Sequence, residues 1–246
     1  MRKKLFHRVR TPPKAKPWYA RDAGRLLSKA QSIVNEAYPD LSLHINNELK
    51  RASLEGSITL RADSGIPTKI ALRVLFPSTY PNQEPAAYDV ADRFDHIGDR
   101  HFYPDGRCCL WLPPETLWNP NDPVALRHFL DQVAIFFDKQ LIYDVIQKWP
   151  GIARSHGYKG YVEFIQDFLG EDKKNLIKLA PIFMKPSSVG RNDLCLCEQG
   201  LKFKRCHEGI VDEIRRRIGA VTLRKVISDW YQKRSDESNM AKRACF

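Results

Sequence analysis

The segment "TKIALRVLF", at residues 68–76, alternates polar and apolar side chains with a period of two. This period is typical of a strand that buries one face and exposes the other. Two earlier segments share it, "LSLHIN" at residues 41–46 and "SLEGSITLRA" at residues 53–62, and polar or Gly/Pro turns separate the three. We therefore predict an antiparallel meander in this part of the chain.

Helical patterns lie on both sides of this meander. Residues 20–37 carry apolar side chains at helical spacing, with Asp22 as the predicted N-cap. Residues 123–149 carry a second, broader apolar face, which the "WPG" at residues 149–151 ends, and a further helix is predicted at residues 161–169. One helix, a meander and then more helices indicate the α+β class.

The remaining segments determine the predicted domain boundaries. Residues 76–120 are rich in Pro, Asp and aromatic residues, which predicts an irregular but ordered region of the kind that carries functional sites. "KPSSVGRND", at residues 185–193, has the composition of a linker, and a helix is predicted beyond it at about residues 211–232. The predicted division is a basic leader (1–19), a main domain with a helical extension (20–184) and a small C-terminal module (185–246).

The composition indicates a globular protein without a membrane anchor. The chain has 246 residues, of which 43% are hydrophobic, enough for a packed core. Its longest apolar runs, such as "VAIFF" at residues 133–137, are far shorter than the roughly 20 residues that span a bilayer. Six cysteines, three of them close to a histidine, favour metal and thiol chemistry in a reducing compartment, so we expect a cytoplasmic protein.

The net charge of +11 is concentrated at the two ends of the chain. The first sixteen residues hold many Lys and Arg residues and no acid, and "RRR" stands at residues 215–217. Basic termini are most often solvated tails, so nucleic acid is not the expected partner. Docking of these ends to an acidic protein surface or to nucleic acid is kept as the alternative.

Four residues near the C-terminus have the spacing of a metal site. In "DLCLCEQGLKFKRCHEG" they form Cys-x-Cys, eight residues, and then Cys-His. Two tight pairs of soft or borderline ligands across a Gly-containing turn suit tetrahedral Zn²⁺, which in so short a peptide largely replaces an apolar core. The alternative is a chance grouping of unligated residues. The predicted zinc ligands are Cys195, Cys197, Cys206 and His207.

This segment resembles the SEC-C motif, a small zinc module appended to many bacterial proteins. The resemblance covers residues 190–209 and includes the Arg-Asn-Asp lead, the four ligands, Gly200 and the Lys-Phe-Lys segment. It departs at Glu198 and Gln199, where the motif usually has Gly-Ser. The resemblance implies docking to a partner protein.

A second group of cysteines lies in "YPDGRCCL", at residues 103–110. The pair Cys108 and Cys109 admits four interpretations: two buried apolar residues, half of a metal site, disulfide partners, or a nucleophile beside a spectator. Adjacent side chains of an extended segment face opposite ways, so both thiols cannot meet the same substrate. A relaxed disulfide between neighbours is also disfavoured, because their Cα atoms are only about 3.8 Å apart.

The order of features around this pair resembles the ubiquitin-conjugating enzyme fold, in which a four-stranded antiparallel meander packs on helices. A helix and meander are followed by "LFPSTYPNQEP" at residues 75–85, a histidine, Gly-x-x-Cys-Leu, Trp-x-Pro and a helix, and the resemblance covers residues 20–149. It is nearest to bacterial members that occur in antiphage operons, including those called CBASS. Their His-x-Tyr-x-x-Gly-x-x-Cys-Leu pattern is matched by His101, Tyr103, Gly106, Cys109 and Leu110.

The resemblance implies an acyl-transfer enzyme. Cys109 stands at the family's nucleophile position, and Cys108 stands at a core position. Cys109 would accept, as a thioester, the C-terminus of a ubiquitin-like protein or of a CBASS nucleotidyltransferase. The chain has no Gly-rich ATP-binding loop of its own, so an activating enzyme is an expected partner.

The other implied site residues have open roles. His101 is a structural residue or a proton carrier, although His96 competes for the family's histidine position by spacing. Tyr103 stands where the better-known family has Asn, so its hydroxyl is a candidate donor to the oxyanion. Asp105 either orients an acceptor amine or shapes the Asp-Gly turn. His156 is left outside the catalytic set.

Three functions follow from these observations. The first is the active conjugating enzyme, favoured by the Gly-x-x-Cys-Leu sequence. The second is a non-catalytic protein-binding adaptor that uses the same fold and the zinc module for docking, favoured by the missing Asn. The third, nucleic-acid binding through the basic ends, is the least favoured.

Overall fold

The computed structural model describes residues 16–61, 67–151 and 154–243. The predicted basic leader therefore lies outside the described residues, apart from its last part. The chain divides into two compact units. The first consists of Met1–Cys108 and Trp118–Gln147, and the second consists of Cys109–Leu117 and Lys148–Phe246.

The first unit is built on a four-stranded antiparallel sheet in the order β1-β2-β3-β4, so each strand pairs with the next along the chain. The register aligns Leu54 with Val74 on the two central strands, and both side chains are buried. The predicted meander is confirmed. The strands are β1 (Leu41–Asn46), β2 (Arg51–Arg61), β3 (Pro67–Phe76) and β4 (Ala86–Asp89).

The fourth strand corrects the prediction that residues 76–120 are irregular throughout. β4 pairs with β3 from Leu72↔Asp89 to Leu75↔Ala86. It has only four residues, which is too short for an alternating pattern to be visible in the sequence. Its Ala87 is almost fully buried, so the strand completes the apolar face of the sheet.

Two helices complete this unit, α1 (Arg25–Ala37) and α2 (Ala125–Ile146). α2 packs against β2 and α1, and its Val133 and Phe137 are fully buried. The predicted cap of α1 is wrong. Gly24, not Asp22, occupies the N-cap position, in a left-handed conformation with φ of 79° that glycine adopts without strain.

The described residues of the second unit contain four α-helices: α3 (Tyr158–Leu169), α4 (Leu176–Met184), α5 (Glu208–Ile218) and α6 (Ala220–Arg243). The single helix predicted at residues 211–232 is two helices, separated at Gly219, where φ is +81°. α3 and α4 belong to this unit, although the predicted division placed them in the main domain. That division into domains stays a prediction. Among the described helices, none has both the length and the apolar composition needed to cross a membrane.

The predicted zinc ligands are part of a larger apolar core. Cys195, Cys197 and Phe203 pack in one buried cluster with side chains of all four helices, including Leu179, Ile214 and Ile227 on the buried faces. The sequence interpretation, in which a metal largely replaces a core, is therefore too narrow. The segment that carries the ligands rests on helices that provide a core of their own.

Candidate metal centre and cysteine loop

The four predicted zinc ligands converge. Their ligand atoms all lie within 4.8 Å of one another. The Sγ atoms of Cys197 and Cys206 are 3.4 Å apart, and Nδ1 of His207 lies 3.4 Å from Sγ of Cys195 and 3.1 Å from Sγ of Cys206. Three sulfurs and one imidazole nitrogen in a tight group are a donor set that Zn²⁺ binds.

A small hairpin brings the two ligand pairs together. Leu194 and Lys202 form a β-bridge, and the N–H of Cys195 donates to the carbonyl of Leu201 over 2.8 Å. The turn between them contains Gly200, whose φ of +76° lies in the left-handed region. A short 3₁₀ turn, Phe203–Arg205, then returns the chain to the second ligand pair.

The protonation of the thiols also fits a metal site. Burial is the main cause that raises the pKa of Cys195, and it raises the pKa of Cys206 to about 12. Without a cation these thiols therefore keep their protons at neutral pH. A bound Zn²⁺ would supply the positive charge that makes the thiolates stable, with Cys195, Cys197, Cys206 and His207 holding the ion.

Cys108 lies in the interior of the first unit, as the sequence predicts. Its side chain is 7% exposed, its N–H donates to the carbonyl of Ala87 over 2.9 Å, and it forms a β-bridge with Phe102. Cys109 follows as the first residue of the second unit and is half-buried. The two neighbouring cysteines therefore differ in burial.

The loop before Cys108 is a tight hairpin. The N–H of Tyr103 donates to the carbonyl of Arg107, and the N–H of Gly106 donates to the carbonyl of Tyr103. Gly106 has a φ of +80°, and a Cβ there would lie 2.8 Å from Cε1 of His96. The carboxylate of Asp105 accepts the N–H of Arg107 over 3.1 Å, which gives this residue a role in shaping the turn.

The two candidate histidines of the first unit differ in their surroundings. Nε2 of His96 lies 3.1 Å from Oδ2 of Asp89, whose side chain is fully buried, so His96 is engaged inside the fold. His101 is half-buried, has a φ of 55°, and ends the 3₁₀ turn Gly98–Arg100 through its N–H. Tyr103 is 37% exposed, with the guanidinium of Arg107 3.8 Å above its ring.

The structure adds one residue to the surroundings of Cys109. Within the second unit, a ring nitrogen of His156 and Sγ of Cys109 lie within 4.8 Å of each other. His156 is far from Cys109 along the chain and has no motif around it. A contact made only in the folded chain leaves no signal in a single sequence.

Comparisons with known proteins recognise the C-terminal segment most clearly. Residues 191–209 match the SEC-C motif, so the chain contains this motif, and no curated protein matches the chain. Among solved structures, a weak likeness is found to the yeast Vps23 UEV domain in complex with a Vps27 PSDP peptide. The TM-score is 0.35 and the identity 14%, over 55% of this chain and 86% of that chain.

Proposed function

We propose that this protein is an acyl transferase of the ubiquitin-conjugating type, in which Cys109 carries the C-terminal carbonyl of a ubiquitin-like protein as a thioester. One observation carries the proposal. Of the five cysteines in the described residues, Cys109 is the one that belongs neither to a buried core nor to the cluster of Cys195, Cys197, Cys206 and His207. It follows directly after the tight hairpin beside a four-stranded meander.

The proposed reaction has two transfers. In the first, the thiolate of Cys109 attacks the carbonyl carbon of a thioester on an activating enzyme. A new C–S bond forms, the old one breaks, and the departing thiolate of the activating enzyme takes up a proton. In the second, an amine nitrogen attacks the same carbonyl carbon, the amide forms, the amine loses a proton, and the Cys109 thiolate leaves.

The remaining site residues are proposed to support these transfers. The phenol of Tyr103 donates a hydrogen bond to the developing oxyanion, and His101 carries a proton. Asp105 orients the acceptor amine in addition to shaping its turn. The partners proposed are an activating enzyme and a ubiquitin-like protein or CBASS nucleotidyltransferase, in the cytoplasm and in an antiphage pathway.

A non-catalytic adaptor is the second candidate, and the surface of the zinc hairpin favours it. Leu194 is 67% exposed and Leu201 is 49% exposed, and they lie on the two sides of that hairpin. Paired exposed leucines suit docking to a partner protein. In this function Cys109 would take no acyl group.

A thioester trap separates the two functions. The full chain is incubated with ATP and with an activating enzyme and carrier protein drawn from its gene neighbourhood, then compared on gels with and without reductant. A conjugating enzyme forms an adduct that reductant removes. The Cys108→Ser variant should still form this adduct. The Cys109→Ser variant should form no adduct, or an oxyester that resists the reductant. An adduct that survives in Cys109→Ser as a thioester, or is lost only in Cys108→Ser, contradicts the proposal.

A further inference from the structure

The pair formed by Cys109 and His156 lies entirely within the second unit. Its thiol sulfur and imidazole nitrogen are within 4.8 Å of each other, the thiol is half-buried, and the imidazole is exposed. A thiol and an imidazole at this separation can exchange a proton directly after a small side-chain rotation, or through one water.

The backbone that carries His156 is held in place on two sides. Two residues before His156, the Nε and Nη2 of Arg154 donate to Oε1 of Glu115 over 3.0 and 2.6 Å. Glu115 lies on the same segment, Cys109–Leu117, that begins with the thiol. Ser155 in turn is bound to Glu163 of α3 through both its N–H and its hydroxyl, at 2.9 and 2.5 Å. These bonds fix the approach of His156 to the cysteine segment.

The start of α3 supports the same arrangement. Gly160 lies against this backbone so closely that a Cβ there would be 2.1 Å from the carbonyl oxygen of Ser155. The next residue, Tyr161, has a pKa raised first by burial and then by the negative charge of the Cys109 thiolate. Tyr161 therefore lies close enough to the sulfur to sense its ionisation.

We propose that His156 is the proton acceptor for Cys109 and so activates the thiol for acyl transfer, an inference that rests on the proposed function. The imidazole takes the Sγ proton, and the thiolate attacks the incoming thioester carbonyl. The C–S bond to Cys109 forms, the C–S bond to the donor cysteine breaks, and the imidazolium returns its proton to the departing thiolate. In the second transfer His101 carries the proton of the attacking amine, as proposed above.

The charged groups around the pair are compatible with this role. Arg154 is neutralised by Glu115 and by Asp167, to which its Nη1 donates over 2.5 Å. Tyr161 is neutral at pH 7, since a phenol ordinarily has a pKa of about 10 and burial raises the pKa of this one further. His101, the imidazole that the family resemblance favours, belongs to the first unit and is tested by its own variant.

The test measures the reactivity of Cys109 without any partner protein. Full-length protein is treated with iodoacetamide between pH 5 and pH 9, and alkylation of the Cys109 peptide is timed by mass spectrometry. An imidazole partner lowers the thiol pKa below its ordinary value of about 8.5, so the wild type should react well below that pH. His156→Gln should raise the midpoint by about one pH unit and slow alkylation at pH 7 about tenfold.

Two control variants sharpen the result. His128→Gln removes an exposed imidazole of the first unit, paired there with Asp122, and should leave the profile unchanged. Glu115→Gln keeps both reacting side chains but weakens the hold on Arg154, so it should shift the profile in the same direction by less. If His156→Gln does not fold, the Glu115→Gln profile decides.

The inference is overturned if the His156→Gln and wild-type profiles coincide, or if His101→Gln alone moves the midpoint. Its failure is distinct from failure of the proposed function. A shifted profile with no thioester on Cys109 leaves the pair standing and removes the conjugating function. A thioester on Cys109 with coincident profiles leaves the conjugating function standing and removes the role of His156 as proton acceptor.

Discussion

The metal cluster and the cysteine loop use the same residue type in opposite ways. In the cluster, Cys195 and Cys197 are buried, and their sulfurs face other ligand atoms across a few ångströms. In the loop, Cys108 points into the core while Cys109 is half-buried at the boundary of a unit. Convergence and burial suit a cation, whereas alternation along an extended segment presents one thiol at a time.

Spacing and surroundings together distinguish the converging, buried cysteines of the cluster from the half-buried Cys109. Burial raises the pKa of Cys195 and of Cys206, so these two thiols keep their protons until a cation replaces them. Cys109 instead has an imidazole within reach.

Metal removal should have the largest effect, and it should act on the second unit. The ligand thiols share a core with α3 to α6, so losing the ion leaves buried polar sulfurs and weakens that core. At a thousandfold excess of zinc over its Kd, the loss is about 4 kcal/mol of stability. Thermal unfolding with and without a chelator measures it, and Cys206→Ser should abolish the difference.

A zinc titration tests the protonation of the cluster thiols. Because burial raises the thiol pKa of Cys206 to about 12, zinc binding at pH 7 must release protons, up to one for each cysteine. Zinc affinity should therefore fall as the pH is lowered from neutral. Calorimetry in buffers of different ionisation enthalpy counts the protons, and binding without proton release would contradict the assignment of thiol ligands.

Gly106→Ala should cause the second largest loss of stability, and this loss should occur in the first unit. Both Gly106 and Gly200 have positive φ, so alanine at either position costs about 1–2 kcal/mol of backbone strain. At Gly106 the new Cβ would also lie 2.8 Å from Cε1 of His96 and 3.0 Å from the carbonyl of Asp89, whereas at Gly200 it would meet nothing within 4 Å. Overpacking adds about 1–3 kcal/mol at Gly106.

Gly200→Ala is therefore the matched control. Denaturant unfolding of the two variants should rank Gly106→Ala as the less stable. Equal losses would show that the hairpin before the cysteines is not tightly packed against His96.

Serine variants of the two loop cysteines should differ from each other in stability by a smaller amount. Cys108→Ser places a hydroxyl in the core and should cost about 1–3 kcal/mol, because a buried hydroxyl needs a hydrogen-bond partner. Cys109→Ser should cost less than Cys108→Ser, because the side chain of Cys109 is only half-buried. Chemical denaturation measures both, and a larger loss for Cys109→Ser would reverse the assignment of the interior thiol.

The sequence predicts much of the fold where its signal is local. The alternation in residues 41–76 locates three strands, and it is strongest in β3, where buried and more exposed side chains alternate from Ile70 to Phe76. Four ligands with tight spacing predict the metal cluster, because their spacing along the chain is also a local signal. β4 has only four residues, so no local pattern locates it, and a fourth strand is expected only from the family resemblance. The one-residue break at Gly219 lies inside a continuous helical pattern and escapes prediction.

The features that could not be predicted from the sequence are contacts that form only in the folded chain. The approach of His156 to Cys109 depends on the bonds from Arg154 to Glu115 and from Ser155 to Glu163. No spacing rule connects these residues. The shared core of the zinc ligands and the helices is likewise a property of packing, which a motif of nineteen residues does not contain.

We propose that, among the five cysteines in the described residues, Cys109 is available for chemistry while the other four are structural. It is tested most directly by brief alkylation of native, zinc-loaded Cys245→Ser protein at pH 7, with each peptide identified by mass spectrometry. We predict rapid labelling of Cys109 and protection of Cys108, Cys195, Cys197 and Cys206 until the protein is unfolded in chelator. Labelling of Cys108 as fast as Cys109, or of the cluster thiols in the zinc-loaded protein, would contradict the claim.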